Sequence, residues 1–327
     1  MTWTSRNVVV TGGGGFIGSH LVERLLAQGA NVTAFVRYNS RSDPGFLDLL
    51  APRTKDIRIV SGDIRDPEAV RTALEGADTV FHLAALTGIP YSYVHPIEVF
   101  EVNASGTLNV LAGARDMALR RVVITSTSEV YGSALYVPID EKHPKQPLSP
   151  YSASKIAADA IALSFHAAFQ LPVTVVRPFN TYGPRQSDRA IIPTIISQAL
   201  TQSEITVGNT APTRDFTYVS DTVEGFLQLA ESDATVGQEV NLGTGSEVSI
   251  GDLVQHINAV VGRDLPVRQK EERVRPKTSE VNRLLSNNSK ARALGWAPRV
   301  TLADGIRLTA KWVEERLEMY DPSSYRI

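Results

Sequence analysis

The side chains best equipped for chemistry gather in the octet Thr125-Ser126-Thr127-Ser128-Glu129-Val130-Tyr131-Gly132, which follows directly on the apolar run at 121–124. Hydroxyl groups, then a carboxylate, then an aromatic ring at a strand end make either a solvated turn or a reaction site. A second cluster, Tyr151-Ser152-Ala153-Ser154-Lys155, opens an Ala-rich helical segment. Positions i and i+4 share a helix face, so the Tyr151 phenol and the Lys155 ammonium are neighbours. A free phenol is a poor base near neutrality, and lowering its pKa by three units requires about 4 kcal/mol of differential stabilisation. A fixed cation beside it works in that direction. The spacing alone proves little, because it recurs by chance.

The stretch TGGGGFIGSHL directly follows the first strand-like run and opens a helix expected from Phe16 to Ala27. Gly12, Gly15 and Gly18 stand where a chain must turn tightly, approach a pyrophosphate closely, and lay helix on strand. The amides of Phe16, Ile17 and Gly18 would then face the phosphates at the positive helix end. A nicotinamide dinucleotide bound there would add a second cation beside Tyr151. The end of the second strand carries Arg37 instead of the carboxylate that usually meets the ribose 2′-hydroxyl. A guanidinium without a repelling acid suits a 2′-phosphate, so NADP is favoured over NAD, with a solvated surface arginine as the alternative. Asp63 and Ile64 follow the third strand; Asp63 could meet the adenine amino group or cap the helix beginning near Pro67.

These groups need a frame. Short β-rich runs at 7–12, 31–36, 56–62, 78–85, 121–128 and 172–179 alternate with helical patterns. Near-continuous apolar strands separated by helices predict an α/β fold, a doubly wound parallel Rossmann sheet, with a smaller mixed α/β lobe. The expected division is 1–177 plus about 216–245 for the dinucleotide-binding domain, and 178–215 plus about 246–327 for the lobe. The 327 residues carry a net charge of −2 with no basic block, which argues against nucleic acid, and no cysteine, which excludes disulfides, a Cys nucleophile and thiolate metal sites. No metal site is expected. No apolar stretch approaches the ~18 residues needed to cross a bilayer, and no leader-like pattern opens the sequence, so a cytoplasmic protein without a membrane partner is expected.

With the glycine loop, TSTSEVYG and YSASK in this order, the chain resembles the extended short-chain dehydrogenase/reductase family. HLAA at 82–85, RPFNTYGPR at 177–185, TRDFTYVSD at 213–221 and NNSKARALGWAPRVTLADGI at 287–306 extend the resemblance over nearly the whole chain. It implies that Thr127 hydrogen-bonds a sugar O4, Tyr151 takes its proton, and Lys155 holds ribose and tyrosine. Leu83, Ala84, Ala85 and Pro178 would line the cofactor. Thr87, Asn180, Arg185, Ile192, Arg214 and Arg275 would line the substrate, the arginines on its diphosphate. The octet resembles that of nucleotide-sugar 4,6-dehydratases: once C4 is a ketone, Glu129 removes the acidified C5 proton and passes it to the departing C6 oxygen, which Ser128 orients. Thymidine-diphosphoglucose dehydratases usually carry Asp-Glu where this chain has Ser128-Glu129, as in GDP-mannose dehydratases. AFVRYNSRSDPGFLD adds a likeness to hexosamine 4,6-dehydratases of legionaminic-acid-type pathways, which act on UDP- or GDP-N-acetylglucosamine. UDP-glucuronate decarboxylases share STSEVYG and are the nearest rival; a 4-epimerase and a non-catalytic NAD(P)-binding regulator follow. The family also implies a homodimer in which the helices at 101–117 and from Tyr151 form a four-helix bundle.

Overall fold

The computed structural model describes residues 3–270 and 276–321. The predicted strands form one parallel sheet: β1 (Asn7–Thr11), β2 (Asn31–Arg37), β3 (Ile57–Gly62), β4 (Thr79–His82), β5 (Arg121–Thr125) and β6 (Val173–Pro178). A seventh strand, Gln238–Leu242, pairs with β6 at the edge. The order across the sheet is seventh, β6, β5, β4, β1, β2, β3. It is an α/β Rossmann sheet, as the alternating pattern requires.

Alternate residues of each strand enter opposite cores. On one face Val8, Val10, Phe81, Val123 and Val176 pack with α1 (Phe16–Ala27) and, later in the chain, with the helix Val219–Glu231. On the other, Val9, Val80, Val122, Ile124 and Val175 pack with α2 (Pro67–Leu74) and with the helices Gly106–Asp116 and Pro150–Phe169. A sheet buried on both faces explains why the strands read as nearly unbroken apolar runs.

Between α2 and Gly106–Asp116 lie α3 (Ile89–Val94), α4 (Pro96–Phe100) and a π-helical turn, Glu101–Ser105; Gly106–Asp116 is α5 and Pro150–Phe169 is α6. Helix α6 starts where it does because Ser149 and Ser152 cap each other's backbone amides at 3.1 Å, with Pro150 in the first turn. Helix α2 is capped by Asp66, whose carboxylate accepts from the Glu68 amide at 3.0 Å. Asp63 therefore does not cap it, which removes one of its two expected roles.

The remaining elements gather beside the C-terminal edge of the sheet. They include helix α7 (Ile191–Thr201), helix α9 (Ile250–Val261) and helix α11 (Leu302–Glu314), with α8 being Val219–Glu231 and α10 the short Ser289–Ala293. Buried Asp215 ties this lobe to the sheet. Its carboxylate accepts from the Thr244, Gly245 and Ser286 amides at 2.8, 2.9 and 3.2 Å. No helix among the described residues is long and apolar enough to cross a membrane.

Gly18 marks the tightest approach of α1 to the strand end: an added Cβ would be driven into the Gly12 carbonyl. A backbone atom cannot swing aside as a side chain can. Gly18→Ala is expected to cost about 1–3 kcal/mol of stability. In thermal denaturation with parallel dinucleotide titration, it should lower the midpoint and abolish binding together.

Candidate active site

A cavity of about 1120 Å³ opens at the C-terminal ends of β1 to β6, walled opposite by the lobe. Every strand delivers its last residues to the same place because the sheet is parallel. This is where doubly wound folds hold ligands.

The glycine loop forms one end. Gly12 adopts φ +71, which only glycine takes without strain, and its amide donates to Phe35 O at 2.9 Å. Gly15 begins α1 with no side-chain cap, and an added Cβ there would meet only the Gly12 carbonyl, at 3.2 Å. Gly12, Gly15, Phe16, Ile17 and Gly18 all line the cavity. An uncapped helix start with open space before it fits a pyrophosphate. Deeper in, Thr125 Oγ1 and Asn180 Oδ1 are buried without a hydrogen-bond partner while their residues line the cavity, so polar positions await a ligand. The wall after β4 is fixed by Thr11, whose hydroxyl accepts from the Leu83 and Ala84 amides at 3.1 and 3.2 Å; Leu83, Ala84, Ala85 and Thr87 follow along the cavity.

At the ends of β2 and β3 the arginines are matched by acids. Arg37, 72% exposed along its side chain, lies 3.8 Å from Glu98 of α4, and Tyr91 of α3 donates to that carboxylate at 2.5 Å. The acid missing from the end of β2 is thus supplied from another element. This weakens the preference for NADP, which rested on its absence. Asp63 accepts from Arg65 Nε and Nη2 at 3.0 and 2.7 Å, and these bonds hold its carboxyl below the usual range. Asp63 and Ile64 still line the cavity.

The two clusters that opened the sequence meet at the cavity floor. Thr127 caps a 3₁₀ turn, Ser128–Tyr131, accepting from the Glu129 amide at 3.2 Å, and its hydroxyl stands near enough to the Tyr151 phenol to favour the phenolate. Thr127, Ser128, Glu129, Tyr151 and Lys155 all line the cavity. Burial pushes Tyr151 upward; the nearby Thr127 hydroxyl opposes this, while the charges of Glu129 and Asp159 add to it. Burial draws Lys155 down to about 8, and its ammonium donates to Thr125 O at 2.6 Å. The phenol therefore stays protonated in the protein alone, and the lysine does not by itself offset burial; the second cation expected from the sequence would have to come from outside the chain.

Sequence reasoning assigned no role to His82 or Asp159. His82 bridges Thr11 and Thr107 hydroxyls at 2.8 and 3.0 Å and is drawn down to about 3 by burial, so it stays neutral. Nothing in the sequence beyond HLAA marks it.

On the lobe side, Pro178, Asn180, Ile192 and Arg214 line the cavity. Arg214 is nearly buried and lies 3.8 Å from Glu280, a further lining residue the sequence reading passed over. Arg185 requires a correction. Its backbone turns to φ +69 after Gly183-Pro184, and its guanidinium points away from the cavity to donate to Ser19 Oγ at 3.3 Å and Glu23 Oε2 at 2.7 Å. It is a buried clamp on α1 that does not line the cavity. Arg275 lies outside the described residues.

The family described as GDP-mannose 4,6 dehydratase matches residues 9–309. A UDP-glucose 4-epimerase from Mycolicibacterium smegmatis is 34% identical over 94% of this chain and 98% of its own length. UDP-glucuronic acid decarboxylase 6 from Arabidopsis thaliana is 32% identical over 93% of this chain and 88% of its own. The dTDP-glucose 4,6-dehydratase DesIV from Streptomyces venezuelae, solved with NAD bound, superposes with a TM-score of 0.87 at 30% identity, covering 97% of this chain and 99% of that one. Identity does not choose among the three reactions.

The two arginines separate experimentally. Arg214→Ala should raise KM for a nucleotide sugar about tenfold to a hundredfold, the worth of one charged hydrogen bond to phosphate. Arg185→Ala should lower the melting temperature and leave KM unchanged.

Proposed function

The chain belongs to the extended short-chain dehydrogenase/reductase family of sugar-nucleotide dehydratases, epimerases and decarboxylases, and we propose that it is a nucleotide-sugar 4,6-dehydratase. The observation that carries this reading is Glu129: a carboxylate on the cavity wall, bonded through its amide to Thr127 and close enough to Tyr151 to raise its pKa. A 4-epimerase needs only the hydroxyl and phenol. A general base over the sugar ring is what dehydration adds.

A bound nicotinamide dinucleotide would supply the acceptor for the C4 hydride and later return it to C6, and its positive charge would favour the Tyr151 phenolate. The chain's own groups do the proton work. Tyr151, bridged to the sugar by Thr127, takes the C4 hydroxyl proton. Lys155 holds its charge beside the phenol. Glu129 then removes the C5 proton, acidified by the C4 ketone, and delivers it to the C6 hydroxyl oxygen, which leaves as water while Ser128 orients it. Buried Arg214, together with Asn180, holds the diphosphate. UDP- or GDP-N-acetylglucosamine is the proposed substrate class, on the strength of AFVRYNSRSDPGFLD. A cytoplasmic homodimer completes the proposal, supported by the exposed apolar side chains Ile97, Phe100 and Leu108 on α4 and α5 and Phe169 at the end of α6.

Product masses after incubation with UDP- and GDP-N-acetylglucosamine, UDP-glucose and UDP-glucuronate test the reaction. Loss of water, with deuterium entering C5 from heavy water, is expected. Loss of carbon dioxide from the glucuronate, or isomerisation without mass change, would overturn it. Glu129→Gln should slow dehydration about 10²–10⁴-fold while C4 oxidation persists.

For the cofactor we favour NAD, because the Arg37 guanidinium that a 2′-phosphate would need already lies 3.8 Å from the Glu98 carboxylate. Protein-fluorescence titration should give a lower Kd for NAD than for NADP. Glu98→Gln should narrow the ratio, by roughly tenfold if the carboxylate contributes about 1.4 kcal/mol. Tighter NADP binding by the unaltered protein would restore the arginine's reading.

A further inference from the structure

Behind the reacting groups lies a buried charged cluster that the mechanism does not use. Asp159 follows Lys155 by one helical turn on α6 and is fully buried. Lys155 Nζ donates to Thr125 O at 2.6 Å, and Ser126 Oγ donates to Asp159 Oδ2 at 2.9 Å. Helix α6 thus grips two successive residues at the end of β5, immediately before Thr127. The same carboxylate oxygen accepts from Arg177 Nε and Nη2 of β6 at 3.2 and 2.8 Å. Arg177, also fully buried, donates through Nη1 to the Tyr131 hydroxyl at 2.9 Å, and Tyr131 donates onward to Asn241 Oδ1 at 2.8 Å. Tyr131 closes the turn that Thr127 opens. One ion pair therefore holds both ends of the segment carrying Thr127, Ser128 and Glu129.

We propose that Asp159 and Arg177 are positioning residues for the oxidation step: Asp159 sets Thr127 through Ser126 and is the fixed counter-charge of Lys155, while Arg177 anchors the far end of the turn through Tyr131. The inference rests on reading Thr127, Tyr151 and Lys155 as the groups that oxidise C4, and is indifferent to whether dehydration follows. The charged and titratable groups around the pair are Lys155 and Tyr151 on α6, Glu129 and Tyr131 on the turn, His82 on β4, Lys145 before α6, and Glu239 on the edge strand. Glu239 pairs with Arg177 and, at 2.6 Å, with Lys145, which lies 3.9 Å from Asp159. Of these, His82 is neutral, and Asp159 is the charge that opposes the downward pull of burial on Lys155.

Two variants separate the tether from the charge. Ser126→Ala breaks the tether and keeps the ion pair. In single-turnover mixing with a nucleotide hexose, nicotinamide reduction should slow at least tenfold, as expected for a misplaced hydroxyl, with the protein folded, its melting temperature lowered by the loss of one buried hydrogen bond, and cofactor Kd unchanged. Asp159→Asn keeps an acceptor for Ser126 and removes the charge. A carboxylate stabilises the protonated lysine, so without it Lys155 should lose its proton at lower pH. The alkaline fall in dinucleotide affinity, measured by fluorescence without any sugar, should then move down by about one pH unit. An unshifted affinity profile in folded Asp159→Asn, or a wild-type reduction rate in Ser126→Ala, overturns the proposal. Should Asp159→Asn fail to fold because Arg177 is left unpaired, the Ser126→Ala rate decides. If the wild-type protein leaves its cofactor oxidised with every nucleotide hexose offered, the functional reading fails, and the affinity profile still decides the role of Asp159.

Discussion

Parallel pairing of all seven strands is the constraint from which the site follows. A parallel strand must be re-entered from the far end, so each connection crosses the sheet as a helix or long segment and every strand ends on the same edge. That edge collects the loop after Thr11, the wall after His82, the octet after Thr125 and the turn after Pro178. Helices leaving that edge point their positive ends back toward it. For α1 this turns an uncapped positive end toward the cavity, and for α6 it places Tyr151 and Lys155 in the first two turns, beside the end of β5. Neither arrangement needs a special device beyond the glycine turn that begins α1 and the serine caps that begin α6.

Precision in the octet is set from beneath. A hydroxyl that must bridge a sugar oxygen and a phenol tolerates little displacement. Yet a post-strand turn is by nature one of the softer parts of a fold. Sheet pairing ends at the Ser126 amide, which donates to Val176 O at 2.7 Å, and the next backbone bond to another segment is from the Gln146 amide to Val130 O at 2.8 Å. Beyond the Ser126 amide the Asp159–Arg177 pair takes over. A buried ion pair is costly to desolvate, and attraction between the charges offsets that cost only with good geometry and added hydrogen bonds. Arg177 directs its donors to Asp159, Tyr131 and Glu239, while Asp159 concentrates its bonds on Oδ2, which accepts from Ser126 and Arg177, and keeps Oδ1 buried without a partner. An apolar pair of similar volume would pack as well but could not direct a turn by hydrogen bonds. The charge at this position is better understood as geometry than as stability.

What the sequence disclosed, it disclosed locally. Strands β1 to β6 and helix α1 were legible because sheets covered on both faces write themselves as apolar runs, and because Gly12, Gly15 and Gly18 lie within one turn of each other. Tyr151 and Lys155 were legible for the same reason, being one helical turn apart. Glu98 was not, since it reaches Arg37 from an element sixty-odd positions away in the chain, and no period links them. Asp159 and Arg177 look in the sequence like ordinary helix and strand positions. Arg185 misled because it sits in a stretch resembling a substrate loop, while the positive φ that turns it onto α1 is invisible without the backbone.

The same low-dielectric setting moves Tyr151 and Lys155 in opposite directions, and this gives the site its waiting state. Burial disfavours whichever form is charged, so it raises a phenol and lowers an ammonium. Two acids add to the phenol's rise, and one of them, Asp159, partly restores the lysine. With only protein groups present, the phenol keeps its proton. A phenolate would require positive charge from outside the chain, placed within the cavity that Gly15 and Asn180 leave open. Burial that first looks hostile to a base thereby links its formation to the arrival of a cationic ligand. An exposed tyrosine with the same lysine neighbour could not make that distinction, because water would screen the cation that is meant to trigger it.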